Sequence, residues 1–235
     1  MKPTLAPTNG RRNALNLFSI SRLEALLCCP IALIKTIAKK AGSYYSPFPA
    51  PPRLRWFPKK PAVTKVRRID QPIDPLKELQ RAILNRLLEP LVLPDNMKGG
   101  VKGRSLKDNI ELHRKARVLV TLDIKSFFPS ISNEMVYSIW RNQLNCSPKI
   151  ADLLTKLTTF ERHLPQGAPT STYLANLFIA SIQDEIVTCC AESNVVFSTW
   201  VDDLAFSGDN APHVIKTAML FYNVLASLFH IRNLK

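Results

Sequence analysis

The chain has 235 residues, 46% of them apolar, which excludes a disordered protein and suits one large domain or two small lobes. Its net charge of +14 is unevenly divided: residues 1–118 carry 24 Lys and Arg against 8 Asp and Glu, and residues 119–235 carry 8 against 10. That split suits a basic lobe that grips a polyanion beside an acidic centre, with binding to an anionic membrane surface left open by charge alone.

In chain order, residues 1–12 read as a polar, basic tail. Ser21-Arg22-Leu23-Glu24 reads as a capping box that opens a helix with Leu23, Leu26 and Leu27 inward. Pro30 then starts a second helix carrying Leu33, Ile34 and Ile37. The apolar run Ala25 to Ile34 is far shorter than the roughly 20 residues a bilayer requires. No signal-peptide cleavage pattern follows it. Six prolines between Pro47 and Pro61 predict an extended segment, and Val63 to Ile69 a basic strand. Asp74-Pro75 predicts an N-cap and first-turn proline, opening a helix with Leu76, Leu79, Ile83 and Leu87 on one face.

A Gly/Lys/Arg loop spans Lys98 to Arg104, and Val118 to Ile124 reads as a buried strand with Asp123 near its end. Ser132 and Ser147-Pro148 predict two helix starts. Gln166 to Ser171 leads into one helix with Leu174, Leu177, Phe178, Ile182 and Ile186 apolar. A β-hairpin carrying Asp202 and Asp203 ends at Gly208, and a last helix from Pro212 carries Ile215, Met219, Tyr222, Leu225 and Leu228. This order predicts an α+β fold with helices on one face of a sheet. The five cysteines show neither metal-site spacing nor an even count, which fits a reducing cytoplasm.

The chemistry concentrates at Asp202-Asp203, two adjacent anions between two β-prone runs. Their repulsion worsens in apolar surroundings unless a cation joins them, and hard oxygen ligands favour Mg²⁺ or Mn²⁺. A solvated turn is the plain reading of such a pair, as a turn-capping residue is of Asp123. Three carboxylates at strand ends can instead hold two metal ions for in-line phosphoryl transfer.

Several segments together resemble the reverse transcriptases. Leu122 to Ile131 resembles the first catalytic motif of the palm, Leu164 to Ser171 the nucleotide-pocket motif, and Trp200-Val201-Asp202-Asp203 the aromatic-x-Asp-Asp hairpin. Gly100 to Ser105 followed by Asn109 to His113 resembles the retron and retron-like signature, and Phe57 to Lys60 with Arg68 to Pro72 the fingers motifs. The resemblance runs from about Tyr45 to Lys235 in family order. It implies fingers and a palm with a ferredoxin-like antiparallel sheet: N-terminal tail and helices over 1–43, basic fingers over 44–118, and palm over 119–235, with 132–163 returning to the fingers.

The resemblance also implies roles. Asp123, Asp202 and Asp203, with the Ile124 carbonyl, would ligate two Mg²⁺. Lys60 and Arg68 would hold the triphosphate of an incoming dNTP. Phe128 would exclude a ribose 2′-hydroxyl, though a plain core role competes. Gln166 and Gly167 would contact the nucleotide, and Lys235 would approach the pyrophosphate. Lys102 and Arg104 would bind template or primer phosphates, and Trp200 would stand beside the primer end. Asn109 and His113, four residues apart, would form a structural hydrogen-bonding pair. Expected partners are a structured non-coding RNA, as template and primer, and an effector protein of antiphage defence.

Three features depart from the family: Trp200 in place of Tyr, Thr172 in place of Pro, and an end at Lys235 that predicts no thumb. A catalytically impaired RNA-binding remnant and a group II intron-type enzyme are the alternatives within the family; a membrane-surface protein is the alternative outside it.

Overall fold

The computed structural model describes residues 14–50 and 67–229, and two amphipathic helices come first, α1 (Ile20–Leu27) and α2 (Ile31–Lys39). Ser19 rather than Ser21 caps α1, its Oγ accepting from the Arg22 N–H at 3.3 Å. Leu23 and Leu27 are buried, as are Ile34 and Ile37 of α2, whereas Leu33 is 47% exposed.

Strands β1 (Tyr45–Pro49) and β2 (Arg68–Pro72) form an antiparallel ribbon, with Tyr45 opposite Pro72 and Pro49 opposite Arg68. Prolines cannot donate to a ladder, so they suit so narrow a ribbon. Of the basic strand expected over Val63 to Ile69, only its end lies in β2; residues 63–66 lie outside the described residues. Helix α3 (Leu76–Ile83) continues through a π turn (Leu84–Leu88), with Pro75 rather than Asp74 at its cap, and Leu76, Leu79, Ile83 and Leu87 are buried. Gln80 on the same helix is also buried. Its amide donates to the Tyr45 hydroxyl at 2.9 Å and the Leu157 carbonyl at 2.7 Å, joining β1, α3 and the later helix that carries Leu157.

After α4 (Leu106–His113) come β3 (Val118–Asp123), α5 (Phe127–Ser130), α6 (Asn133–Ser138) and α7 (Pro148–Thr158). Helices α8 (Ser171–Ala180) and α9 (Asp184–Glu192) stand where the sequence suggested one; the chain bends by 58° between them. Strands β4 (Val196–Trp200) and β5 (Asp203–Gly208) and helix α10 (Ala211–Phe229) complete the described chain. Among the described residues no single helix is long and apolar enough to cross a membrane.

The main sheet has the order β3-β5-β4, all antiparallel. On one face Phe197 and Phe206 stack at 4.8 Å, and Phe221 of α10 meets both edge-on. Two expectations fail here. Strand β3 is half-solvated rather than buried: Val118, Val120 and Leu122 face the core, while Leu119 on the alternate face is 56% exposed. Antiparallel sheets commonly keep one wet face. Helices also lie on both faces, because α4 packs across β4 and β5 opposite α10.

The buried stripe of α10 is Val214, Thr217, Ala218, Phe221 and Leu225, whereas Ile215 and Met219 are 52% and 48% exposed. This helix is apolar on nearly every side, so periodicity offers two stripes. The sheet selects the one with small residues at Thr217 and Ala218, which allow close approach to β3.

Candidate active site

Two residues, Val201 and Asp202, join β4 to β5, since Trp200 pairs with Asp203. Val201 has φ +60°, whereas Asp202 is not among the positive-φ residues, the pattern of a type II′ hairpin. Glycine normally fills that first position; a β-branched side chain there costs on the order of 1–3 kcal/mol. The surroundings over-determine the turn. The aromatic stack anchors both strands, and the Ile124 N–H donates to the Asp202 carbonyl at 3.1 Å, fastening the end of β3 to the turn.

The sheet register then places Asp123 directly opposite Asp203. Asp202 is one residue away, so all three expected carboxylates meet at one end of β3 and β5. Asp123 and Asp203 lie on the face that alternates with Leu122 and Leu204, away from α10. This all-oxygen donor set suits Mg²⁺. Among the described residues no group of three or more Asp, Glu, His or Cys side chains is close enough to hold a metal ion as it stands. The backbone therefore brings the three carboxylates to one end of the sheet without forming a closed metal-holding group.

A groove of about 430 Å³ opens on this face, bordered by Asn109, His113, Leu119, Thr121, Trp200 and Asp203. His113 spans it from α4, with Nδ1 2.7 Å from the Ser207 hydroxyl and Nε2 2.7 Å from the Ser198 hydroxyl. One ring nitrogen donates and the other accepts, so a neutral imidazole satisfies both serines. His113 thus clamps α4 onto β4 and β5. The structural role expected of it holds, with the serines rather than Asn109 as partners.

Burial holds the His113 imidazole below its ordinary 6.5. An unfolded chain takes up this proton first, so the contribution is full above about pH 6.5 and is lost as pH falls toward the depressed folded value. Thermal unfolding between pH 8 and 5 is expected to show that loss, and His113→Gln to flatten it. Identical pH profiles for the two chains would exclude the clamp as the source.

A second cluster joins β2 to the loop before α8. The Asp70 N–H donates to the Gln166 carbonyl at 2.7 Å, and Gly167 has φ +113° with Ile69 packed where a Cβ would point. Arg68 makes a bidentate pair with Glu161, both contacts at 2.9 Å, and a 2.7 Å ion pair with Asp70. Hydrogen bonding within the Arg68–Glu161 pair raises the guanidinium pKa and lowers that of the carboxyl. Glu161 is presented by a tight turn in which it and Arg162 both have positive φ, and Phe160 beneath it lies 5.6 Å from the guanidinium carbon. Arg68, Gln166 and Gly167 are therefore neighbours; Lys60 and Lys235 lie outside the described residues.

Phe127 is the core ring, 2% exposed and edge-on to Phe229, whereas Phe128 is only half-buried. Lys102 is exposed. Arg104 is not available as expected: its guanidinium donates to the carbonyls of Leu93, Pro94 and Met97 and pairs with Asp95 at 3.3 Å. A basic loop residue looks the same in sequence whether it grips phosphate or its own backbone.

The loop Arg104 folds supplies residues that sequence reasoning missed. The Lys98 N–H donates to the Thr199 carbonyl and the Thr199 N–H to the Asn96 carbonyl, both at 2.9 Å, so residues 96–98 cover the outer edge of β4. A Cβ on Gly99 would stand 2.6 Å from the Val201 nitrogen and 2.8 Å from the Trp200 carbonyl carbon. Buried Asn176 donates to the Gly99 carbonyl at 2.9 Å. Thr172, the residue in place of Pro, packs where a Cβ on Gly100 would sit. The paired glycines were the one visible signal, and they read only as loop.

Comparison with known proteins shows the family. The family described as "Reverse transcriptase (RNA-dependent DNA polymerase)" matches residues 57–230. The chain is 32% identical over 145 residues to the retron Se72 reverse transcriptase of Salmonella heidelberg, covering 62% of this chain and 38% of that protein. It is 29% identical over 175 residues to the retron Ec86 reverse transcriptase of Escherichia coli, covering 74% and 54%. To the retron Mx65 reverse transcriptase of Myxococcus xanthus it is 32% identical over 162 residues, covering 62% and 38%. These alignments span between about a third and just over half of each relative's length. With the family match covering most of its length, the chain belongs to the reverse transcriptases, and to their retron type.

Proposed function

We propose that this chain forms the fingers (44–118) and palm (119–235) of a retron-type RNA-directed DNA polymerase, which adds dNTPs to a primer 3′-hydroxyl on an RNA template. The observation that carries this reading is the register of Asp123 against Asp203, with Asp202 tied to Ile124 beside them. Two bound Mg²⁺ ions, or Mn²⁺, would neutralise charge on the attacking and leaving oxygens; the three carboxylates and the Ile124 carbonyl would hold them. Trp200 would support the primer end from the groove border. Phe128, half-open beside the core ring Phe127, would meet the sugar of the nucleotide. A structured non-coding RNA would supply template and primer, and an effector protein of antiphage defence in the cytoplasm is the proposed setting. Extension of a labelled primer on RNA, dependent on divalent cation, tests the reading. RNA binding without extension would favour the impaired remnant, which the bulk of Trp200 beside Asp203 supports.

In this reading Arg68 meets the triphosphate, and Glu161 occupies the same guanidinium beforehand. Glu161→Gln is expected to lower the KM for dNTP about two- to fivefold at unchanged kcat, the small effect of an exposed pair. Arg68→Gln is expected to raise KM more than about tenfold, because a bidentate donor to phosphate is lost. Steady-state kinetics with varied dNTP check both.

A further inference from the structure

A second groove, of about 710 Å³, lies on the N-terminal helices, away from the residues of the candidate active site. Its walls are α2 and α7, which pack against each other. Their buried faces, Ile34 and Ile37 on one and Ile150, Leu154 and Leu157 on the other, leave the flanks to solvent. Those flanks carry Lys35 and Lys39 from α2 and Lys149 and Lys156 from α7, all exposed. Among the described residues that line the groove, Asp152 is the acidic side chain and is bound to Lys156 at 2.8 Å, so its charge offsets part of the lysine cluster and leaves it net positive.

The α2 pair uses a repulsive spacing, whereas Lys156 of α7 is supported by Asp152 one turn earlier. Lys35 and Lys39 stand at i and i+4, where like charges oppose the helix, and α2 contains no acid to offset them. From the 1.5 Å rise per residue they are about 6 Å apart along the axis, and Lys149 and Lys156 about 10 Å. The ammonium groups thus line a track rather than converging on one point. A single phosphate would meet at most a part of them; a chain of phosphates would meet them all. Between the tracks the floor is apolar, from Ile20, Ala38 and Leu153. Among the described residues no Trp, Tyr or Phe lines the groove, although aromatic anchors characterise surfaces that sit in a membrane interface. A concave track also fits a strand better than a flat bilayer.

We infer that the α2–α7 groove is a docking site for the sugar–phosphate backbone of a structured RNA, distinct from the groove beside the carboxylates. Lysines read phosphate as point charges, so the site would hold RNA without selecting its bases. The choice of RNA rests on the proposed template; the test reads binding alone and needs no primer extension.

The experiment measures anisotropy of a labelled RNA hairpin with a single-stranded arm, across a salt series, for the parent and for the chain with Lys35, Lys39, Lys149 and Lys156 all changed to Gln. The groove variant is expected to bind about tenfold or more weakly at 0.1 M salt, and its slope of log affinity on log salt to fall by about 2–3. A second variant with Lys77, Lys107, Lys115 and Lys216 changed to Gln controls for total charge, and matching thermal unfolding shows that each chain is folded. Equal losses in the two variants would overturn the proposal in favour of diffuse charge. So would an unchanged groove variant, or one that loses binding to phosphatidylserine vesicles but not to RNA. An Asp203→Asn chain that no longer extends primers but still loses RNA through the lysine changes would support it. A parent that binds RNA through the groove without extending primers would weaken the polymerase reading alone.

Discussion

Asp203→Asn is expected to lower primer extension by at least about three orders of magnitude while leaving the fold as stable as before, or slightly more so. The first half follows from what the carboxylate would do: position and neutralise, in a reaction where those two effects supply most of the rate. A thousandfold loss is about 4 kcal/mol of transition-state stabilisation, within what removal of one well-placed charged group produces. The second half follows from the register. Asp123 and Asp203 face each other across β3 and β5, and like charges directly opposite destabilise a strand pair. Neutralising one is expected to return about 0.2–1 kcal/mol. Asp123→Asn is expected to behave alike on both counts. Primer extension by single-turnover assay and thermal unfolding of the same preparations check the pair of outcomes. Extension within tenfold of the parent would remove these carboxylates from the reaction; a large fall in Tm would instead make them structural.

Gly99→Ala is expected to damage the same site from outside it. The added Cβ meets the backbone of Trp200 and Val201, which cannot swing aside as a flexible side-chain tip could. Either the loop over 96–99 lifts from β4 or the hairpin turn shifts. Overpacking of this kind costs about 1–3 kcal/mol. A displacement near 1 Å at a reacting centre costs about a hundredfold in rate. The useful comparison is Gly42→Ala, where a Cβ meets nothing within 4 Å, and which is expected to be neutral. Urea unfolding and primer extension read the two effects separately. A Gly99→Ala chain indistinguishable from Gly42→Ala in both would show that loop and turn are not in register contact.

How much of this was legible in advance varied with the kind of information. The hairpin could be read because its two strands alternate and its turn is short; Asp202 and Asp203 followed. That Asp123 would stand opposite Asp203 could not be read, since register across chain-distant strands depends on packing at Phe197, Phe206 and Phe221. The phase of α10 was ambiguous for a related reason: an apolar surround leaves the choice of stripe to the partner. Helix starts were legible to within a residue or two, and Ser19 displaced Ser21 because either hydroxyl could cap. Charge was the least legible feature. Arg104 turns inward to three carbonyls and Arg68 to two carboxylates, and neither fate leaves a mark on composition. Lys35, Lys39, Lys149 and Lys156 read as an undistinguished part of the positive total until α2 and α7 were seen side by side.

The pairing of Met97 with Thr199 bears on the order in which the protein is made. It joins segments roughly 100 positions apart in the chain, and contacts of such separation form late because a long loop must first close. During synthesis the basic N-terminal half leaves the ribosome well before the strand that the 96–98 segment covers. For that interval the nascent chain carries most of the positive charge but has neither the hairpin nor two of its three carboxylates. Under the proposed function, capture of nucleic acid would thus precede assembly of the carboxylate end of the sheet, and the topology itself would separate the two events in time.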